Sequence, residues 1–176
     1  MSQPDSKSAL HRLNSLPASD AEAELRHCCG SANWARAMAE RRPFADIDEV
    51  LAVADNIWRS LGPDDWLESF RSHPKIGERK TEAQVSAQSR AWSKQEQAAA
   101  GGASADTLVD LKTANDEYQR KFGYIFIVCA SGKSAEEMLT ILRRRLPNDA
   151  AAELHIAAEE QRKITALRLE RLIRDS

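Results

Sequence analysis

Only one stretch of this 176-residue chain reads as a β-strand, and a single strand has nothing to pair with. That stretch, YIFIVCA at 124–130, is β-branched and aromatic. With no partner of similar character it is either buried extended chain or part of a helix. Everything else points to helices. Residues Ile47, Val50, Leu51, Ala54, Ile57, Trp58 and Leu61 recur at the helical period. Asp46 stands before them as a cap with Glu49 three residues on, and Gly62-Pro63 ends that helix and opens the next.

The same punctuation divides the rest of the chain. Residues 1–17 are polar and expected to be loosely ordered. Ser19-Asp20-Ala21-Glu22 has the form of a capping box, for a helix ending near Gly30. A short helix with Trp34 and Met38 stops before Pro43, and one carrying Trp66, Leu67 and Phe70 runs out at Ser72-His73-Pro74. Helical pattern returns from Thr81 to about Ala100, with a second capping box at Ser93 and Glu96. Ser104 opens a helix through Tyr118 and Phe122, closed by Gly123. Ser134 and Glu137 cap another that ends at Pro147, and a last helix of about 25 residues follows Asn148. The chain is expected to be all-α: a single domain, residues 1–176, with about seven to nine helices.

Composition narrows the function. A net charge of −2 lacks the basic excess of a dedicated nucleic-acid binder. No apolar run reaches the roughly 18 residues of a membrane span. The N-terminal residues carry no secretory h-region and the C-terminal ones no peroxisomal tripeptide, so a cytoplasmic location is expected. Cys28, Cys29 and Cys129 have no framework spacing and suit buried, reduced thiols. No His-Glu-x-x-His or Cys-x-x-Cys pair suggests a dedicated metal site. Gly132-Lys133-Ser134 lacks a phosphate loop's earlier glycine, because Ile127 stands there.

Three side chains stand out. His73 precedes a proline, which biases it away from helix, and imidazole moves protons near neutral pH. It could equally be a helix-terminal residue satisfying the last turn. Glu96 could face His73 and stabilise its charged form, or only complete its capping box. Arg168 falls on the apolar stripe of the last helix, where it either snorkels to the rim or pairs with a buried anion. The run Arg143-Arg144-Arg145 is most simply a solvated face, although one arginine could serve a ligand. His155, His11 and His27 have no catalytic-looking surroundings.

Four segments occur in a telling order: SHPKIGE, WSKQEQAAAG, LKTANDEYQRKFGYIFIVCASGKSAEEML and EEQRKITALRLERLI. Together they resemble the 2-oxo-4-hydroxy-4-carboxy-5-ureidoimidazoline (OHCU) decarboxylases of urate breakdown, over roughly residues 10–174. The resemblance implies an all-helical bundle, usually a homodimer, acting on a small molecule without a cofactor. It places the catalytic histidine on His73 and the catalytic glutamate on Glu96. Pro74, Ser93 and Gln97 would line the substrate site. Backbone groups of Ile125, Phe126, Ile127, Val128 and Cys129 would bind the ring, and Arg168 the substrate carboxylate. The expected product is S-allantoin. Many relatives carry Asp-Leu after His-Pro, whereas this chain has Lys75-Ile76-Gly77, similar to a plant and bacterial variant. Some relatives are fused to a transthyretin-like hydrolase domain, for which 176 residues are too few. Two other classes stay open: a helical adaptor without activity, and a hydrolase or lyase on a related ureido compound.

Overall fold

The computed structural model describes residues 6–76, 92 and 103–174, and among these eight helices and no strand. They are α1 (Ser6–Ser15), α2 (Ala18–Cys29), α3 (Ala32–Glu40), α4 (Ile47–Ser60), α5 (Pro63–Arg71), α6 (Ala105–Phe122), α7 (Ala135–Arg145) and α8 (Ala150–Arg174). The chain divides into two compact units, Met1–Ser69 with Arg162–Ser176, and Phe70–Gln161.

In the first unit α2 packs on α3, and α3 on α4. Trp34 is fully buried and donates its indole N–H to the Ala54 carbonyl at 3.2 Å, which ties α3 to α4. Leu25, Met38, Val50, Trp58, Leu169 and Leu172 are buried as well. The caps follow the sequence closely at α4, where the Asp46 side chain accepts from the Glu49 amide at 2.9 Å. At α2 they do not. The helix starts one residue before the Ser19 box, with Pro17 at the cap position and no side-chain cap bond. Gly30 ends it at φ 92°, a left-handed conformation that glycine adopts without strain.

The expectation of loose order over 1–17 is corrected for Ser6–Ser15, which form α1. Ala9, Leu10 and Leu13 are buried. Asn14 exchanges two hydrogen bonds with the backbone of Phe44, at 2.8 and 2.9 Å. Arg42 donates to the carbonyls of Leu13 and Leu16, satisfying groups that a helix end otherwise leaves to solvent. These partners lie about thirty residues away, beyond the reach of local composition.

In the second unit α6 packs on α7. Its core joins Leu111, Tyr118, Met138 and Leu142 to Phe126, Val128 and Ala130 of the strand-like run. That run belongs to no helix or strand, and Phe126 to Ala130 are all buried. Of the two sequence alternatives, buried non-helical chain is correct. The capping box at Ser134 forms with both of its bonds, and Gly123 ends α6 at φ 82°. No described helix is long and apolar enough to cross a membrane.

Candidate functional site

His73 sits just past α5, whose last turn it closes by donating its backbone N–H to the Phe70 carbonyl at 3.1 Å. Pro74 stops the helix there, since it has no N–H to continue the ladder. The turn after it is fixed from two directions. Lys75 Nζ donates to Asp116 Oδ1 of α6 at 2.8 Å, and Ile76 is buried in the core of the second unit. The Lys75 ammonium holds the Asp116 carboxyl below its usual range, through its hydrogen bond first and its charge second. Lys75-Ile76 therefore anchors the turn that carries the histidine.

The His73 ring reaches beyond its own helix to α8. It is 7% exposed, and its Nε2 lies 2.7 Å from Oε1 of Gln161, which is itself fully buried. An amide oxygen only accepts, so with this placement Nε2 carries the proton and the neutral ring keeps its lone pair on Nδ1. Gln161 thus selects a tautomer. The preceding residue, Glu160, accepts the backbone N–H of Cys129 at 2.7 Å. Consecutive residues of α8 therefore hold the imidazole and the 124–130 segment.

That segment is tied down along its length. Lys133 donates to the Cys129 carbonyl at 2.8 Å, and Arg145 donates to the Ile127 carbonyl at 2.8 Å. Both backbone groups of Cys129 thus have protein partners, which bears on its expected role toward the ring. Ile125 is partly buried, while Phe126, Ile127 and Val128 are buried. Pro74 is partly buried beside His73 in sequence.

Arg168 belongs to the first unit. It is 1% exposed, so the snorkelling alternative is overturned. Its Nη1 donates to the His27 carbonyl at 3.4 Å, and its charge acts against the burial that raises the Cys29 thiol. Cys29 is still pushed up overall, and a thiol held protonated is a poor nucleophile. Cys28, Cys29 and Cys129 are all buried, and none of them is in a disulfide.

His27 yields a prediction of its own. Burial lowers its pKa from the ordinary 6.5, opposed by the nearby charge of Glu24. The unfolded chain then takes up the proton first as pH falls. Stability from this group is intact above about 6.5, is lost as pH drops below that value, and levels off once the folded form is protonated too. Melting temperature should fall between about pH 7.5 and about pH 5.5, and His27→Asn should flatten that slope. An unchanged slope in the variant would rule the group out.

Glu96, Ser93 and Gln97 lie outside the described residues. Two residues of the site, Gln161 and Glu160, carried no reading from the sequence. Gln161, Thr165 and Arg168 are polar, buried and spaced by four and three along α8, so a polar stripe within an apolar face was the available signal for Gln161. Glu160 carried no comparable sign. Arg145 departs from the solvated face that the arginine run suggests. Its side chain is buried against Glu153, with Nη2 to Oε1 at 2.6 Å, because the third arginine of the run turns inward beneath Tyr118 and Phe126.

An all-helical protein with a buried histidine held at a helix end by a glutamine, beside a pinned irregular segment, is what these features define. The chain belongs to the OHCU decarboxylase family, whose model matches residues 14–170 and runs through both units. It is 38% identical over 154 residues to the uric acid degradation bifunctional protein TTL of Arabidopsis thaliana, covering 88% of this chain and 48% of that protein. With the 2-oxo-4-hydroxy-4-carboxy-5-ureidoimidazoline decarboxylase of Amia calva it shares 32% identity over 140 residues, 79% of each chain. A crystal structure of OHCU decarboxylase in the presence of (S)-allantoin matches with TM-score 0.74 and 39% identity, over 85% of this chain and 96% of that one. An (S)-allantoin synthase structure at 19% identity, TM-score 0.69, supports the fold alone. The chain spans about half the length of the Arabidopsis relative and about a third of the bifunctional Bacillus protein.

Proposed function

We propose that this protein removes carbon dioxide from OHCU and releases (S)-allantoin, a step in urate degradation. Membership of the family across residues 14–170 carries the reading. The held histidine gives it a chemical basis.

In OHCU the hydroxyl and the carboxylate share one ring carbon, and the ureido group sits on the next. When the bond to the carboxylate breaks, carbon dioxide leaves and the electron pair spreads into the adjoining carbon–nitrogen framework. The hydroxyl then gives up its proton to become the carbonyl, the ureido-bearing carbon gains one, and the ring nitrogen that received the electron pair takes a further proton from solvent, which balances the charge of the lost carboxylate. The ring accommodates the electrons itself. The protein has to orient the ring, take one proton, and return one from a single face.

His73 is the group proposed to move the proton, through Nδ1, with Nε2 committed to Gln161. Glu96 is proposed as its carboxylate partner, with Pro74, Ser93 and Gln97 lining the site. Backbone groups of Ile125, Phe126, Ile127, Val128 and Cys129 are proposed to bind the ring, and Arg168 the carboxylate. A guanidinium fork matches a carboxylate with two parallel hydrogen bonds. The family's usual homodimer is proposed as the assembly. Three cysteines outside any disulfide favour a reducing compartment such as the cytoplasm.

The direct experiment generates OHCU freshly from urate with urate oxidase and hydroxyisourate hydrolase, then follows its absorbance with and without this protein. Faster decay that scales with protein concentration is expected. Decay at the spontaneous rate at every concentration would sink the proposal, and parallel runs on hydroxyisourate and allantoin would expose a hydrolase or lyase instead.

A further inference from the structure

The arginine run 143–145 contributes one residue for which the proposed reaction has no use. The Arg145 side chain is 7% exposed and that of Glu153 is 0%. Arg145 Nε donates to Glu153 Oε1 at 2.7 Å, and Glu153 also accepts from the Tyr118 hydroxyl and, at 2.8 Å, from Asn148 Nδ2. Glu153 is thereby held from three sides, and it holds the guanidinium in turn. The other edge of the guanidinium faces the strand-like segment. Nη1 donates to the Ile127 carbonyl at 2.8 Å, and the guanidinium carbon lies 4.7 Å from the centre of the Phe126 ring.

We propose that Arg145 is a positioning residue that fixes the Ile127–Val128 peptide plane in the orientation substrate binding requires. The inference rests on the proposed function, in which this backbone meets the ring. The Ile127–Val128 bond is trans, so the carbonyl and the N–H of that peptide point in opposite directions. Binding the Ile127 carbonyl to Arg145 turns the Val128 N–H away from the guanidinium. The Cys129 amide, given to Glu160, pins the segment a second time. Between these two anchors the peptide planes cannot rotate freely, although no helix or sheet ladder holds them.

Stability alone does not account for such an arrangement. A buried ion pair gives up the solvation of both charges, and a well-packed apolar pair of similar volume is often as stable or more so. What an apolar pair cannot do is hold a particular carbonyl. Lysine cannot do it either while also meeting Glu153, because one ammonium does not reproduce a rigid fork of five donors.

Arg145→Lys is therefore the informative variant, since it keeps a positive charge beside Glu153. The expected result has three parts. Melting temperature changes by less than about 5 °C. Amide exchange in a peptide covering 124–130 speeds up at least about tenfold, with α2 unchanged. The kcat/KM for OHCU falls at least about tenfold, mostly through KM. Unchanged exchange in 124–130 with kcat/KM within about twofold of wild type would overturn the inference. If Arg145→Lys does not fold, the double variant Arg145→Met/Glu153→Met removes both charges and is read in the same way. Failure of both to fold would leave the pair a purely structural role and overturn it too. Exchange is read without any substrate, so the two ideas fail separately. An inactive wild type sinks the decarboxylase reading, whereas an active wild type with an unaffected variant sinks only the positioning role.

Discussion

His73→Ala should decarboxylate OHCU at least about a hundredfold more slowly than wild type, the loss expected when a general acid–base group is removed. The variant also strips Gln161 of a partner in a fully buried position. Losing a buried hydrogen bond costs about 0.5–1.5 kcal/mol, so some loss of melting temperature accompanies the loss of rate. His73→Asn separates the two effects. Its amide can still donate toward Gln161 but does not titrate, so stability should be largely restored while activity is not. Near-native turnover in either variant would move the proton transfer to another group. Gln161 acts through the imidazole in this account, because its amide oxygen decides which ring nitrogen keeps the proton.

The second large effect belongs to Arg168. Carbon dioxide leaves as a neutral molecule, so an arginine on the substrate carboxylate stabilises the bound ground state at least as well as the transition state. Its removal should therefore appear in KM more than in kcat. A charge-assisted hydrogen bond contributes about 1.5–3 kcal/mol, so Arg168→Met should lower kcat/KM by roughly ten- to hundredfold, mainly through weaker binding. Arg168→Lys should recover only part of this, since a single ammonium does not present the fork. Arg168 is 1% exposed, so its charge is held out of water, and an apolar replacement need not destabilise the fold. A normal KM with a large drop in melting temperature would reassign Arg168 to structure.

How far the sequence could be read depended on how local each feature is. The Asp46 and Ser134 caps, the left-handed glycines at 30 and 123, and the end of α5 at Ser72-His73-Pro74 each depend on a few neighbouring residues, and all were legible. Residues 6–15 were misjudged because α1 is held by Arg42 and Phe44, which no local pattern connects to it. Arg145 was misjudged because three consecutive arginines on a helix point in three directions about 100° apart, and composition cannot say which one faces inward. The 124–130 run was ambiguous for a related reason. Its hydrogen bonds go to side chains of Glu160, Lys133 and Arg145 rather than to a neighbouring strand. His73 was legible as a residue at a stiff position. Its partner Gln161, 88 residues further on, was not.

Glu96 lies outside the described residues, so its role rests on the family reading and on mutation. A glutamate that supports His73 should, when changed to alanine, cost a similar two orders of magnitude to His73→Ala, and the double variant should lose little more, because residues acting as a unit are strongly non-additive.

After carbon dioxide leaves, the protein should return a proton to one face of the ring only. Spontaneous decay of OHCU gives racemic allantoin, which has no net optical signal. The circular dichroism of allantoin formed from fresh OHCU in the presence of the wild-type protein reads that facial selectivity. A persistent signal of the S enantiomer that disappears with His73→Ala is expected. Racemic product from the wild-type protein would contradict it.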